Sequence, residues 1–168
     1  MPRDYTLREM RLVGEWVTQQ YPQAIIRFRV DVGDLTPAMS TTGLSAPELR
    51  RLGRSRRWVD ALVIEAQAVH LIEGKVRLKA EAVAQLELYR MLFPLTPELA
   101  HLSHLDLRLH LLYAVPDVGI IALARSKGIL VHEFHPAWVD EYLALLRARE
   151  TRGSQPRGLP VTPDDVIP

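Results

Sequence analysis

Two apolar runs, "RRWVDALVIEA" (56–66) and "AVHLIEGKVRL" (68–78), meet at a tight connection near Ala66–Gln67. Their β-branched and aromatic content and short spacing predict two antiparallel strands in a hairpin, and any fold of this chain must be built around it. Each run carries charges that a buried strand ordinarily excludes: Asp60 in the first, Glu73 and Lys75 in the second. Side chains alternate along a strand, so Glu73 and Lys75 share a face and Gly74 turns to the other. Asp60 can reach that same face from the adjacent strand. Two carboxylates and an amine on a half-buried sheet are costly to desolvate unless they bind something.

Carboxylates set by adjacent strands are hard oxygen ligands, suited to Mg²⁺ or Mn²⁺ rather than zinc. Such a cation lowers the pKa of a water and offsets charge building on a phosphate oxygen, and a nearby lysine can orient that water. The chemistry these parts suit is phosphodiester hydrolysis. Directly downstream, "KAEAVAQLELYRMLF" (79–93) predicts a helix closed by Pro94, with Ala82, Leu86, Tyr89 and Phe93 on one stripe. Gln85 and Tyr89 are four apart on it, so they lie on one face and can lean over the same site.

The remaining segments frame this unit. "TLREMRLVGEWVTQQYP" (6–22) reads as a first helix, with Thr6 and Glu9 as a capping box and Leu7, Met10, Gly14, Val17 and Tyr21 as its stripe. "AIIRFRVDV" (24–32) predicts a strand. Residues 33–57 form a polar, basic insert in which "SAPELRRLG" has helix signals, Ser45 with Glu48 as cap pair and Pro47 in the first turn. Then come a strand at "LDLRLHLLYAV" (105–115), a short helix at "DVGIIALARSKG" (117–128) stopped by Gly128, a strand at "ILVHEFH" (129–135) and a closing helix at "PAWVDEYLALLRARE" (136–150). The order predicts an α/β architecture, a central mixed β-sheet flanked by helices, in one domain over residues 1–150. Residues 151–168, with four prolines and little to bury, predict a flexible tail that could order on a larger protein assembly.

Asp60, Glu73-x-Lys75 and Gln85-x-x-x-Tyr89 together resemble the PD-(D/E)XK nuclease superfamily, closest in pattern to its RecB-like branch. The motif spans residues 60–89, and the order of elements over 7–134 is similar to that family's restriction-endonuclease-like αβββαβ core. The resemblance implies that Asp60 and Glu73 ligate Mg²⁺ (or Mn²⁺), with the Gly74 carbonyl completing the shell and Glu15 as the acid from the first helix. It implies that Lys75 positions or activates the attacking water, and that Gln85 and Tyr89 brace the site and contact the DNA backbone. Val59 stands where the family commonly has proline, and Glu15 is the sole obvious acid for a second metal, so one-metal and two-metal chemistry both stay open.

Composition narrows the setting. The chain has 168 residues, a formal net charge of +1 and no cysteine, which excludes disulfides and thiolate metal sites. Of its 21 basic residues 18 are arginine, and Arg50, Arg51, Arg54, Arg56 and Arg57 crowd into "RRLGRSRR". Directly before the strand of Asp60, that cluster reads as a phosphate-binding flap, against the plainer alternative of a solvated face. His101/His104 and His132/His135 have His-x-x-His spacing without thiolates nearby, and read as loop and strand-end residues rather than zinc ligands. No apolar run reaches the roughly 18–20 residues of a membrane span and no signal-peptide core is seen, so the expectation is a cytoplasmic or virion-associated protein, not a secreted one. The expected function is a divalent-metal-dependent deoxyribonuclease, stand-alone or phage-borne, with DNA as partner. The alternatives are a non-catalytic member of the same fold, such as a virion neck or head-completion component, and an unrelated α/β binding module.

Overall fold

The hairpin forms where the sequence puts it: β2 (Arg57–Ile64) turns through residues 65–67 into β3 (Ala68–Arg77), closed by a bond from Glu65 N–H to the Ala68 carbonyl at 2.9 Å. The structure is a computed structural model that describes residues 4–34, 43–45, 47–48 and 57–153. Around the hairpin stand α1 (Asp4–Gln20), β1 (Ile25–Val32), α2 (Ala80–Leu92), β4 (Asp106–Val115), α3 (Val118–Ser126) and β5 (Leu130–Glu133). Two short 3₁₀ turns, Phe93–Leu95 and Pro97–Leu102, follow α2. The expected αβββαβ order is observed, and the protein is α/β.

The sheet has the order β1-β2-β3-β4-β5, with β1/β2 and β2/β3 antiparallel and β3/β4 and β4/β5 parallel. Parallel neighbours need crossovers, and α2 and α3 supply them. The chain divides into two compact units, Met1–Pro136 and Ala137–Pro168. The first holds the sheet. The second holds α4 (Trp138–Gly153), in which Trp138, Val139, Tyr142 and Leu143 are buried at helical spacing.

β3 lies at the centre and is buried along almost its whole length. On one face Val69 and Leu71 pack with Leu62, Leu109, Leu111 and the α2 stripe. That stripe is the one the sequence spacing gives: Ala82, Leu86, Tyr89 and Phe93 are all buried. Each large side chain in it contributes roughly 1.5–3 kcal/mol by leaving water, and Leu86→Ala would cost about 2–5 kcal/mol. α1 covers β3 from the other face, with Val13 against Gly74. Here the expected helix phase is corrected. Leu7 is 57 % exposed, and the buried line is Glu9, Leu12, Val13, Trp16 and Val17. α1 also begins at Asp4, ahead of the expected Thr6 cap.

Smaller signals match their structural role. Asp117 caps α3 by accepting from Ile120 N–H at 3.0 Å, and Gly128 follows it at φ 69°, a left-handed conformation that glycine adopts without a steric penalty. Ser45 donates from both N–H and Oγ to Glu48 Oε2, at 2.8 and 2.6 Å, and the N–H bond is the half of a capping box in which the acid reaches back to the cap residue. Of the insert helix only Pro47 and Glu48 are described. Arg50, Arg51, Arg54 and Arg56 lie outside the described residues, as does the tail beyond Gly153. Among the described residues no helix is long and apolar enough to cross a membrane.

Candidate functional site

The β2–β3 ladder runs from Ile64↔Val69 to Ala61↔Ile72 and stops there, although both strands continue. Extending the register by one step puts Asp60 opposite Glu73. Instead of a backbone pair, the Asp60 side chain bridges the gap, with Oδ2 accepting from Gly74 N–H at 2.9 Å. The neighbouring ladder is disturbed at the same level. β1 passes from Phe28↔Ala61 to Val30↔Val59 without pairing Arg29, which sits at φ 53°. Val59 and Leu62, three apart, both join the α2-side core, so strict alternation breaks across Asp60–Ala61. The strands part where the acids stand.

Lys75 lies beside them. Its Nζ is 2.7 Å from Glu73 Oε1 and 3.7 Å from Glu9 Oε2, with all three residues buried. The Tyr89 hydroxyl donates to the Trp58 carbonyl at 2.8 Å and stands 3.3 Å from Glu73 Oε2. Burial, and then the Asp60 charge, push the Glu73 carboxyl up to about 7 despite the ammonium beside it. Asp60 is also raised by burial, against the Gly74 N–H, Lys75 and Arg29, which favour its anion. Burial pulls Lys75 down, but Glu73, Glu9 and Asp60 outweigh it and hold the amine above its ordinary value. Lys75 is therefore a permanent cation at neutral pH.

Asp60, Glu73 and Glu9 all act on this one buried ammonium, and Glu73 is elevated by burial first and by the Asp60 charge second. Among the described residues no three His, Cys, Asp or Glu side chains converge into a ready-made cage. Asp60 and Glu73 could offer two carboxylates, a number that Mg²⁺ accepts when water and phosphate oxygens complete its shell. Asp60 keeps Oδ1 beyond its Gly74 bond, so Asp60 and Glu73 fit the role of the two ligands.

Of the other expected site residues, Gln85 and Tyr89 share a cavity of about 400 Å³ with Arg57, Glu81, Ala84 and Leu88. Gln85 Oε1 is buried there without a hydrogen-bond partner. Tyr89 is itself buried and braces Glu73 from beneath. Arg57 is exposed at the start of β2. Glu15 lies elsewhere, pairing with Arg11 at 2.7 Å one helical turn away, and Glu9 is the α1 acid beside Lys75. Arg29 and Trp58 were not expected here. The guanidinium lies 4.7 Å from the half-exposed indole ring, beside Asp60. The available signal was Trp58 two positions before Asp60, hence on its face.

A second polar cluster occupies the α1 side of the sheet. His70 Nε2 donates to Glu65 Oε2 at 2.9 Å, His110 Nε2 to His70 Nδ1 at 2.8 Å, and His132 Nε2 to His110 Nδ1 at 2.9 Å. The carboxylate at one end fixes this direction of donation. Trp16 and Tyr21 of α1 rest on the rings. His132 thus belongs to a line across β3, β4 and β5, while His101 and His104 are exposed. No protein-family model, no curated protein and no solved structure matches the chain.

Proposed function

We propose that the protein is a divalent-metal-dependent nuclease that hydrolyses phosphodiester bonds of DNA at the site where β2 and β3 part. The observation that carries this is the convergence of Glu73 and Lys75 at 2.7 Å beside Asp60, whose carboxylate reaches across to Gly74 N–H at 2.9 Å. Asp60 and Glu73 would hold Mg²⁺ or Mn²⁺, with the Gly74 carbonyl as a further oxygen donor. When bound, the cation polarises a phosphate oxygen and makes a water acidic enough to attack. Lys75, held protonated by three acids, donates a hydrogen bond and positive charge to the water or phosphate and does not abstract a proton. Tyr89 holds Glu73 in place. Arg57 and Gln85 line a cavity beside it that suits a phosphate backbone.

A second reading is a non-catalytic member of the same architecture, a DNA-contacting or virion component. The short Lys75–Glu73 ion pair favours it, because the lysine already has its counterion within the protein. Cleavage of plasmid and linear DNA with Mg²⁺, with Mn²⁺ and with EDTA decides between them. The nuclease requires cleavage that needs the cation and disappears in Glu73→Gln. Intact DNA under all metal conditions, with the wild-type chain folded, leaves the non-catalytic reading standing.

A further inference from the structure

Trp58 is 50 % exposed, an unusual position for a side chain that proteins bury on average. It is not loosely held. Its backbone carbonyl takes the 2.8 Å bond from the Tyr89 hydroxyl that also faces Glu73, so the strand backbone that carries the ring is fixed two residues before Asp60. Arg29 covers one part of it, with Cζ 4.7 Å from the ring centroid. To put the guanidinium there, β1 gives up a ladder pair and keeps a non-glycine residue at φ 53°. A left-handed arginine in mid-strand costs free energy, and local strain of this kind persists where it positions a functional group. Its product is an aromatic–guanidinium pair on the strands next to Asp60, half of the ring still open to solvent.

We propose that Trp58, backed by Arg29, is a stacking platform for an unpaired nucleobase next to the bound phosphate, so that the site takes single-stranded nucleic acid or a frayed end rather than intact duplex. Every base has a π-face, and an indole accepts it without reading its edge. Duplex bases are stacked on each other and present no free face. The Arg29 cation, whose charge also acts on Asp60, suits the phosphate that follows the stacked base. The platform deepens the nuclease reading by naming its substrate class, and rests on that reading only for cleavage.

The test is fluorescence anisotropy with labelled oligo(dT), the same strand made abasic, and a duplex of equal length, all in EDTA, using the full chain and its Trp58→Ala and Trp58→Phe variants. The wild type should bind oligo(dT) more tightly than duplex. Trp58→Ala should weaken oligo(dT) binding roughly tenfold, leave abasic and duplex binding unchanged, and be largely rescued in Trp58→Phe. Equal affinity for duplex and oligo(dT), no binding of either, or undiminished oligo(dT) binding by Trp58→Ala overturns the platform. If Trp58→Ala misfolds by circular dichroism, the abasic strand against the wild type decides alone. Trp58-dependent binding with no Mg²⁺-supported cleavage removes the nuclease reading and keeps the platform. Mg²⁺-supported cleavage of oligo(dT) that Trp58→Ala leaves untouched does the reverse.

Discussion

Val13 on α1 and Gly74 on β3 touch so closely that a Cβ at position 74 would overlap the Cγ2 methyl of Val13. The contact is the seat of α1 on the sheet, and Glu9, one turn before Val13, meets Lys75 because of it. Gly74→Ala should push the helix away and cost about 2 kcal/mol, the usual range for overpacking. Val13→Ala in the same chain should recover part of the loss by making room. Chemical denaturation of the two single variants and the double variant measures the coupling. Additive losses would mean that the helix seats elsewhere.

Asp60 raises the pKa of Glu73, so neutralising it should stabilise the metal-free protein. The native state holds the Glu73 proton up to about pH 7, whereas an unfolded glutamate releases it near its ordinary value of 4.5. The folded chain thus binds more protons between those values, and stability falls as pH rises through that window. Asp60→Asn keeps an oxygen for Gly74 N–H and removes the charge. Its melting temperature in EDTA should exceed that of the wild type at pH 8 and match it near pH 4. Mg²⁺ should raise the wild type and leave the variant unmoved, because one ligand is gone.

Lys75→Met should lose cleavage and also stability, since it removes the buried cation that Glu73 and Glu9 face. Breaking such a pair costs about 3 kcal/mol. The loss should be larger at pH 8 than at pH 5.5, where Glu73 carries its proton and needs no partner. Equilibrium denaturation at the two pH values reads the difference. A pH-independent loss would place the role of Lys75 in packing.

What the sequence made legible follows strand and helix periodicity. Asp60, Glu73 and Lys75 were singled out because the short hairpin register brings their positions together, although the alternation that parity assumes breaks across Asp60–Ala61, and the α2 stripe was legible because its apolar spacing is regular. Glu9 was missed through phase. Leu7, Met10, Gly14, Val17 and Tyr21 form one plausible stripe on α1, while Leu12, Val13, Trp16 and Val17 form another that shares Val17 and passes through Glu9. Which stripe is buried depends on Gly74 opposite, and that pairing lies beyond local spacing. Arg29 had no signal at all, since its left-handed backbone answers to tertiary geometry. His70, His110 and His132 are 40 and 22 residues apart, and only the sheet order brings them into line.

That line of histidines makes α1 packing acid-sensitive. Burial, then neighbouring His70, His132 and Arg108, pull His110 down to about 3, and burial lowers His70 and His132 as well. Glu65 and Asp106 act the other way on His70, and Tyr21 lies over it. The unfolded chain therefore binds these protons from near pH 6.5 downward while the native chain refuses them, so stability is lost as pH falls below 6.5 and continues to fall towards pH 3. The hydrogen-bond order says where the limit lies. His132 can gain a proton and still donate to His110, but a proton on His110 or His70 sets two N–H donors face to face at 2.9 or 2.8 Å unless the next histidines towards His132 change tautomer. His110→Leu, which cannot charge, should flatten the acid limb of the stability curve between pH 6.5 and 4, with the midpoint at pH 7.5 changed far less. Should that variant fail to fold, His132→Gln serves, since its side-chain amide can donate to His110 without titrating. Denaturant midpoints taken at half-unit steps of pH measure both, and an acid limb identical to that of the wild type would show that the carboxylates alone set the acid stability.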